Sequence, residues 1–180
     1  MSIYFYADPH FCHENIIKFC GRPFKNKEQM NDHLIKEYNS IVRDEDLVYF
    51  LGDISVAKSK EDRERVADII SKLNGNKILI RGNHDRLSPN KYYDMGFIAV
   101  LCDATLRVGT RFVKLTHLPD YDAVWNFCGH VHEHWKTSTR CFNCGVDVWD
   151  FKPVNIGKLV QLMDKYEQEL FNSTYLKGGI

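Results

Sequence analysis

The sequence predicts an α/β fold in which parallel strands, joined by helical crossovers, carry their polar chemistry at their carboxyl ends. Three observations lead there. Short apolar runs rich in aromatic and β-branched residues recur along the chain, and each stops at a polar cluster able to bind metal. Between the first three runs lie segments whose apolar residues repeat at helical spacing. Glycine stands at the strand-to-loop junction of several clusters, where the backbone must turn sharply or pass close to a neighbour.

Taken in order, Ile3-Tyr4-Phe5-Tyr6-Ala7 reads as a buried strand ending at Asp8 and His10. Residues 28–42 form an amphipathic helix, with Met30, Leu34, Ile35, Tyr38 and Ile41 on one stripe. Leu47-Val48-Tyr49-Phe50-Leu51 is the second strand and ends at Gly52-Asp53. Residues 61–73 repeat the helical pattern with Val66, Ile69, Ile70 and Leu73, and Asn74-Gly75 stops it. Lys77-Ile78-Leu79-Ile80-Arg81 follows and ends at Gly82-Asn83-His84-Asp85. Strand, helix, strand, helix, strand implies parallel pairing through crossovers. Residues 97–108 and 111–115 read as a hairpin turning at Gly109-Thr110, with His117 beyond its second arm. The run Val124-Trp125-Asn126-Phe127-Cys128 ends at Gly129-His130-Val131-His132. Residues 139–149 look like a further strand region, and residues 154–171 a closing amphipathic helix. One domain over residues 1–171 is expected, followed by a loose tail over 172–180.

The bulk properties narrow the classes. The 180 residues suffice for a sizeable core, and the formal net charge is zero, so a long nucleic acid held through its phosphates is not expected. A small phosphorylated partner fits better, because bound metal supplies positive charge locally. No apolar run reaches the roughly 18 residues of a membrane span, so no membrane role is expected. The N-terminus lacks an export signal, which points to the cytoplasm, with the six cysteines as reduced thiols.

The polar clusters share one logic. In extended backbone, alternate residues point the same way, so Asp8 and His10, or His130 and His132, can each address one ion. Carboxylates, imidazoles and the Asn83 amide make a mixed oxygen and nitrogen set suited to a divalent transition metal. They outnumber the ligands one tetrahedral ion needs, so two ions are the economical reading. In sheets of this kind ligands gather beyond the carboxyl ends of the strands.

The ordered series Asp8-x-His10, Gly52-Asp53, Gly82-Asn83-His84-Asp85, His117 and Gly129-His130-x-His132 resembles the calcineurin-like metallophosphoesterase superfamily. All five motifs occur in the family's order. The resemblance implies a four-layer α/β/β/α sandwich with two mixed β-sheets and two divalent ions, drawn from Mn, Fe, Ni, Co or Zn. It implies that Asp8, His10 and His132 bind one ion, that Asn83, His117 and His130 bind the other, and that Asp53 bridges them. His84 would then be the catalytic residue facing the leaving group, with Asp85 orienting its imidazole. Many members carry another acid soon after the bridging aspartate, whereas here Ile54-Ser55-Val56 follow, a departure that touches support of the site more than its mechanism.

The implied activity is hydrolysis of phosphomonoesters or phosphodiesters of small molecules, nucleotides among them, through a hydroxide held between the ions. The alternatives are a metal-binding scaffold of the same fold that docks a protein, or a nuclease on short oligonucleotides. Scaffold relatives lack the catalytic histidine of the third motif, so His84 speaks for an enzyme. His13 and Arg22 are candidate contacts for a substrate phosphate, each set against the plainer reading of a surface residue, and Arg86 invites the same suggestion. Cys141-x-x-Cys144 lacks a partner pair at zinc-ribbon spacing and reads as strand thiols.

Overall fold

A computed structural model describes residues 1–175. The apolar runs form strands β1 (Ile3–Tyr6), β2 (Leu47–Phe50) and β3 (Asn76–Ile80). They are separated by helices α1 (Glu14–Phe19), α2 (Lys27–Asn39) and α3 (Lys60–Ser71). Caps set the starts of the two longer helices: the Asn26 side chain accepts from the Gln29 N–H and the Ser59 hydroxyl from the Asp62 N–H.

After α4 (Pro89–Asp94) come β4 (Phe97–Leu101), β5 (Ala104–Val108), β6 (Arg111–Leu115) and β7 (Asn126–Cys128). Then follow β8 (Thr137–Ser138), β9 (Cys141–Asn143), a 3-10 turn over Val146–Val148, β10 (Val154–Asn155) and α5 (Ile156–Tyr175). The strands make two five-stranded mixed sheets, ordered β10-β1-β2-β3-β4 and β5-β6-β7-β9-β8. The first four strands pair in parallel, as the crossovers require, and β10 closes that sheet antiparallel to β1.

Period-two alternation builds two cores from the same strands. Tyr6, Val48, Phe50 and Leu79 face α2 and α3, where they meet Met30, Leu34, Val66 and Ile69. Phe5, Leu51 and Ile80 join Val113, Leu115, Phe127 and Phe142 of the second sheet, together with Leu159 and Met163 of α5. A strand buried on both faces has no room for polar residues until it ends. That is why the chemistry is confined to strand ends.

Three expectations need correction. Residues 97–108 are not one hairpin arm. Phe97–Leu101 pairs with β3 in the first sheet, and Ala104–Val108 pairs with β6 in the second, so the chain changes sheet at Cys102-Asp103. Residues 139–149 are strand only over Cys141–Asn143; the 3-10 turn follows. The final helix continues through Tyr175, past the expected end at Phe171, and the rest of the expected tail lies outside the described residues. All six cysteines are free thiols, four of them buried. No described helix is long and apolar enough to cross a membrane.

Candidate metal centre

Residues following β1, β2, β3, β6 and β7 converge where the carboxyl ends of the two sheets meet. Two clusters form there. Ligand-capable atoms of Asp8, His10 and His132 lie within 4.8 Å of one another, and so do those of Asp53, His117 and His130. Each cluster takes members from both sheets.

Local backbone geometry is unusual at these positions. Asp8 (φ 56°), His10 (φ 51°), Asp53 (φ 53°), His130 (φ 72°) and His132 (φ 47°) all adopt left-handed conformations. Each such residue costs on the order of 1–3 kcal/mol and persists only where its surroundings over-determine it. Here the braces are hydrogen bonds: the His10 N–H donates to Asp53 O, and the His130 N–H to a carboxylate oxygen of Asp8 at 2.8 Å. The His84 N–H donates to Asp53 Oδ1 at 2.9 Å. The glycines make the close approach possible. A Cβ on Gly52 would stand 2.5 Å from His117 Nδ1, and one on Gly82 would collide with the Asp53 carboxylate.

The Asp8–His10–His132 cluster lies deep and has unsatisfied valence. Asp8 Oδ1 and both ring nitrogens of His10 are buried without a hydrogen-bond partner among the described residues. A buried polar atom left so costs about 1–3 kcal/mol, and a cation among these atoms would satisfy them. Burial pushes the Asp8 carboxyl up to about 6 and drives His10 well below its usual range, so the imidazole is neutral, as a ligand must be. His132 points its Nδ1 at Asp147 Oδ2, 3.3 Å away, which leaves Nε2 for an ion. Burial tends to lower His132, but the Asp147 hydrogen bond and the charge of Asp8 raise it overall.

The Asp53–His117–His130 cluster is more open and more self-satisfied. His117 Nδ1 lies 2.8 Å from Leu51 O, and its Nε2 lies 3.0 Å from Asn83 Oδ1 and 3.3 Å from Asp53 Oδ2. Burial tends to lower His117, yet the Asp53 hydrogen bond and the Asp8 and Asp53 charges lift it to about 9. Burial likewise pushes Asp53 up, but His117 outweighs it and holds the carboxyl at about 2. Asp53 Oδ2 also lies 3.7 Å from His10 Nε2, so one carboxylate faces both clusters. The donor set, carboxylate, imidazole and amide oxygen, fits divalent metal. A third grouping, Cys20, His132 and Asp147, suits an ion less well, since Asp147 is committed to Arg22 and burial pushes the Cys20 thiol up to about 12.

The remaining candidates fall out differently. His84 is exposed, with Nε2 3.9 Å from Asp53 Oδ2. His13 is half-buried at the start of α1, its ring 5.4 Å from that of His10. Arg22 is buried, which corrects the reading of it as an exposed loop cation. Its guanidinium donates to both Asp147 oxygens, at 2.7 and 2.9 Å, and to the carbonyls of Pro9 and Asp8. Asp85 is corrected as well. Its carboxylate does not orient His84; it accepts from the N–H groups of Asp53, Ile54 and Gly82, and so ties the ends of β2 and β3 together. Asp147 was missed as a site residue, because nothing in its local sequence marks a carboxylate on a 3-10 turn as a partner of His132.

Two mixed sheets thus carry acid-and-imidazole clusters, able to hold metal, at their carboxyl edge. The calcineurin-like phosphoesterase family matches residues 1–144. Over 176 residues the chain is 38% identical to an uncharacterized protein, MJ1445, of Methanocaldococcus jannaschii, covering 91% of this chain and 92% of that one. It is 27% identical to the gene 66 protein of Mycobacterium phage L5, covering 99% of this chain and 98% of that one. In structure it resembles a protein of unknown function, AQ665, from Aquifex aeolicus, with a TM-score of 0.72 at 24% identity over 89% of this chain and 98% of the other. The chain belongs to the calcineurin-like phosphoesterase family.

Proposed function

We propose that the protein hydrolyses phosphomonoesters or phosphodiesters of small molecules, nucleotides among them, with two divalent transition-metal ions. Asp8, His10 and His132 would hold one ion, Asn83, His117 and His130 the other, with Asp53 shared. The single observation that carries this reading is the pair of clusters meeting at Asp53, the deeper one with buried, unpartnered donors. When bound, such ions supply Lewis acidity, activating water and neutralising phosphoryl charge.

The protein's own groups do the rest. His84 stands exposed beside Asp53, free to protonate a departing alkoxide. The Arg22–Asp147 pair holds His132, and the Leu51 carbonyl holds His117 with Nε2 facing the cluster. An exposed acid–base imidazole beside the clusters favours catalysis over a purely scaffolding role. Zero net charge favours small substrates over long nucleic acid. Free thiols suit a reducing compartment, the cytoplasm.

The test begins with metal-free protein. Mn, Fe, Ni, Co, Zn or Mg is added singly and a panel of phosphate mono- and diesters is assayed, with the bound metal counted. Hydrolysis that appears only with metal, at two ions per chain, is the expected result. Full turnover without metal would defeat the mechanism, and one ion per chain would defeat the two-ion assignment.

A further inference from the structure

His84 borders a cavity of about 360 Å³ that the proposed chemistry does not use. Its rim carries Lys58, Arg63 and Arg86, and its apolar wall includes Val66, Leu87 and Tyr92. None of these three cations has a carboxylate partner among the described residues. The nearby acids are spoken for. Asp62 pairs with Lys27 at 2.8 Å, and Asp85 is buried with its carboxylate on three backbone N–H groups. Arg86 is anchored by its Nε, which donates to Asn83 O at 3.2 Å and leaves its terminal nitrogens uncommitted. Arg81 makes the contrast: its guanidinium is used up on the carbonyls of Asp85 and Leu87. Lys58, Arg86 and His84 also line the adjoining cavity that reaches His13.

In a protein of zero net charge, three unpaired cations around one recess beside the proton donor are a local excess with an electrostatic consequence. We propose that this recess binds a second phosphate carried by the leaving group, so that the preferred substrates are small bisphosphorylated molecules. The inference rests on the phosphoesterase reading and narrows its substrate class. The guanidinium of Arg86 suits bidentate phosphate recognition, Lys58 and Arg63 add charge, and the apolar wall receives a sugar or base face. The volume fits one small group and not a polymer.

The test uses competition, so that it reads the recess whether or not the competitor is itself cleaved. Metal-loaded protein hydrolyses a p-nitrophenyl phosphate mono- or diester in the presence of adenosine 3′,5′-bisphosphate, adenosine 3′-monophosphate or adenosine 5′-monophosphate. The bisphosphate is expected to inhibit at a concentration at least about tenfold below either monophosphate, the scale of one or two charge-assisted contacts. In the triple variant Lys58→Gln, Arg63→Gln, Arg86→Gln that ratio should shrink to about twofold or less. Titration calorimetry of metal-free protein with the bisphosphate should show the same loss of affinity. Equal inhibition by all three nucleotides in the wild type, or a preference that survives in the triple variant, would overturn the proposal. If no p-nitrophenyl ester is cleaved by metal-loaded protein, the phosphoesterase reading itself fails, while the calorimetry still reports on the recess.

Discussion

Asp8, His10 and His132 sit deeper than Asp53, His117 and His130, and the two clusters deal with their charges in opposite ways. In the deep cluster neither ring nitrogen of His10 has a hydrogen-bond partner among the described residues, and the Arg22–Asp147 pair supports His132 from behind. In the open cluster His117 and Asp53 neutralise each other, and His130 is exposed. The deep cluster therefore depends on a cation for its satisfaction, whereas the open one has an internal substitute. The lesson is that similar ligand chemistry can give tight retention in one place and ready exchange a few ångströms away, according to burial and hydrogen bonding alone.

The largest test breaks both clusters at once. Asp53→Asn removes the charge that faces each, and should lower kcat/KM by on the order of 10³-fold or more while the protein stays folded. Near wild-type turnover in this variant, with metals counted, would sink the shared-carboxylate reading. His84→Ala comes next and leaves the clusters intact. It should cost on the order of 10²–10⁴-fold on alkyl phosphates and much less on p-nitrophenyl esters, whose leaving group needs no proton. Equal losses on both ester types would mean that His84 binds the phosphoryl group and does not act as an acid.

Asp147→Asn should weaken metal binding at the deep cluster by about 10- to 100-fold and leave the open cluster nearly untouched. Calorimetric titration of the metal-free protein would resolve the two, and an equal loss at both would erase the distinction drawn here. The last effect is on pH. His117, lifted to about 9, is protonated at neutral pH in the metal-free protein and must lose that proton to become a ligand. Metal affinity of the open cluster should therefore climb, by up to about tenfold per pH unit, from about pH 7 to 9. The same shift stabilises the metal-free fold fully below about 6.5, and that contribution is lost as pH rises through about 9. Proton release measured in buffers of different ionisation enthalpy checks the first point; a flat profile would remove His117 from the ligand set.

The residues that converge were legible in the sequence because strand ends are where doubly buried strands can become polar. Asp8, Asp53, Asn83, His117 and His130 each follow a short run rich in aromatic and β-branched residues, the pattern of a buried strand. What could not be read was anything depending on long separations or on dihedral angles. Arg22 and Asp147 lie 125 positions apart, and no spacing rule links a loop arginine to a 3-10 turn. Asp85 looked like a partner of its neighbour His84, whereas its carboxylate turns inward to the backbone N–H groups of Asp53 and Ile54, just past β2. The left-handed backbone at Asp8, His10, Asp53, His130 and His132 has no composition signal, since these residue types were there to be explained by chemistry. The sheet change at Cys102-Asp103 was hidden because Phe97–Leu101 and Ala104–Val108 both look like strand, and alternation does not say in which sheet a strand lies.

That crossing also sets a timetable for synthesis. Everything before it supplies Asp8, His10, Asp53, Asn83 and His84, and everything after it supplies His117, His130, His132 and Asp147. A nascent chain that has emerged only as far as Leu101 completes neither cluster. An ion held as proposed would have to wait until the second sheet has left the ribosome and docked, and would then fasten the late half of the chain to the early half.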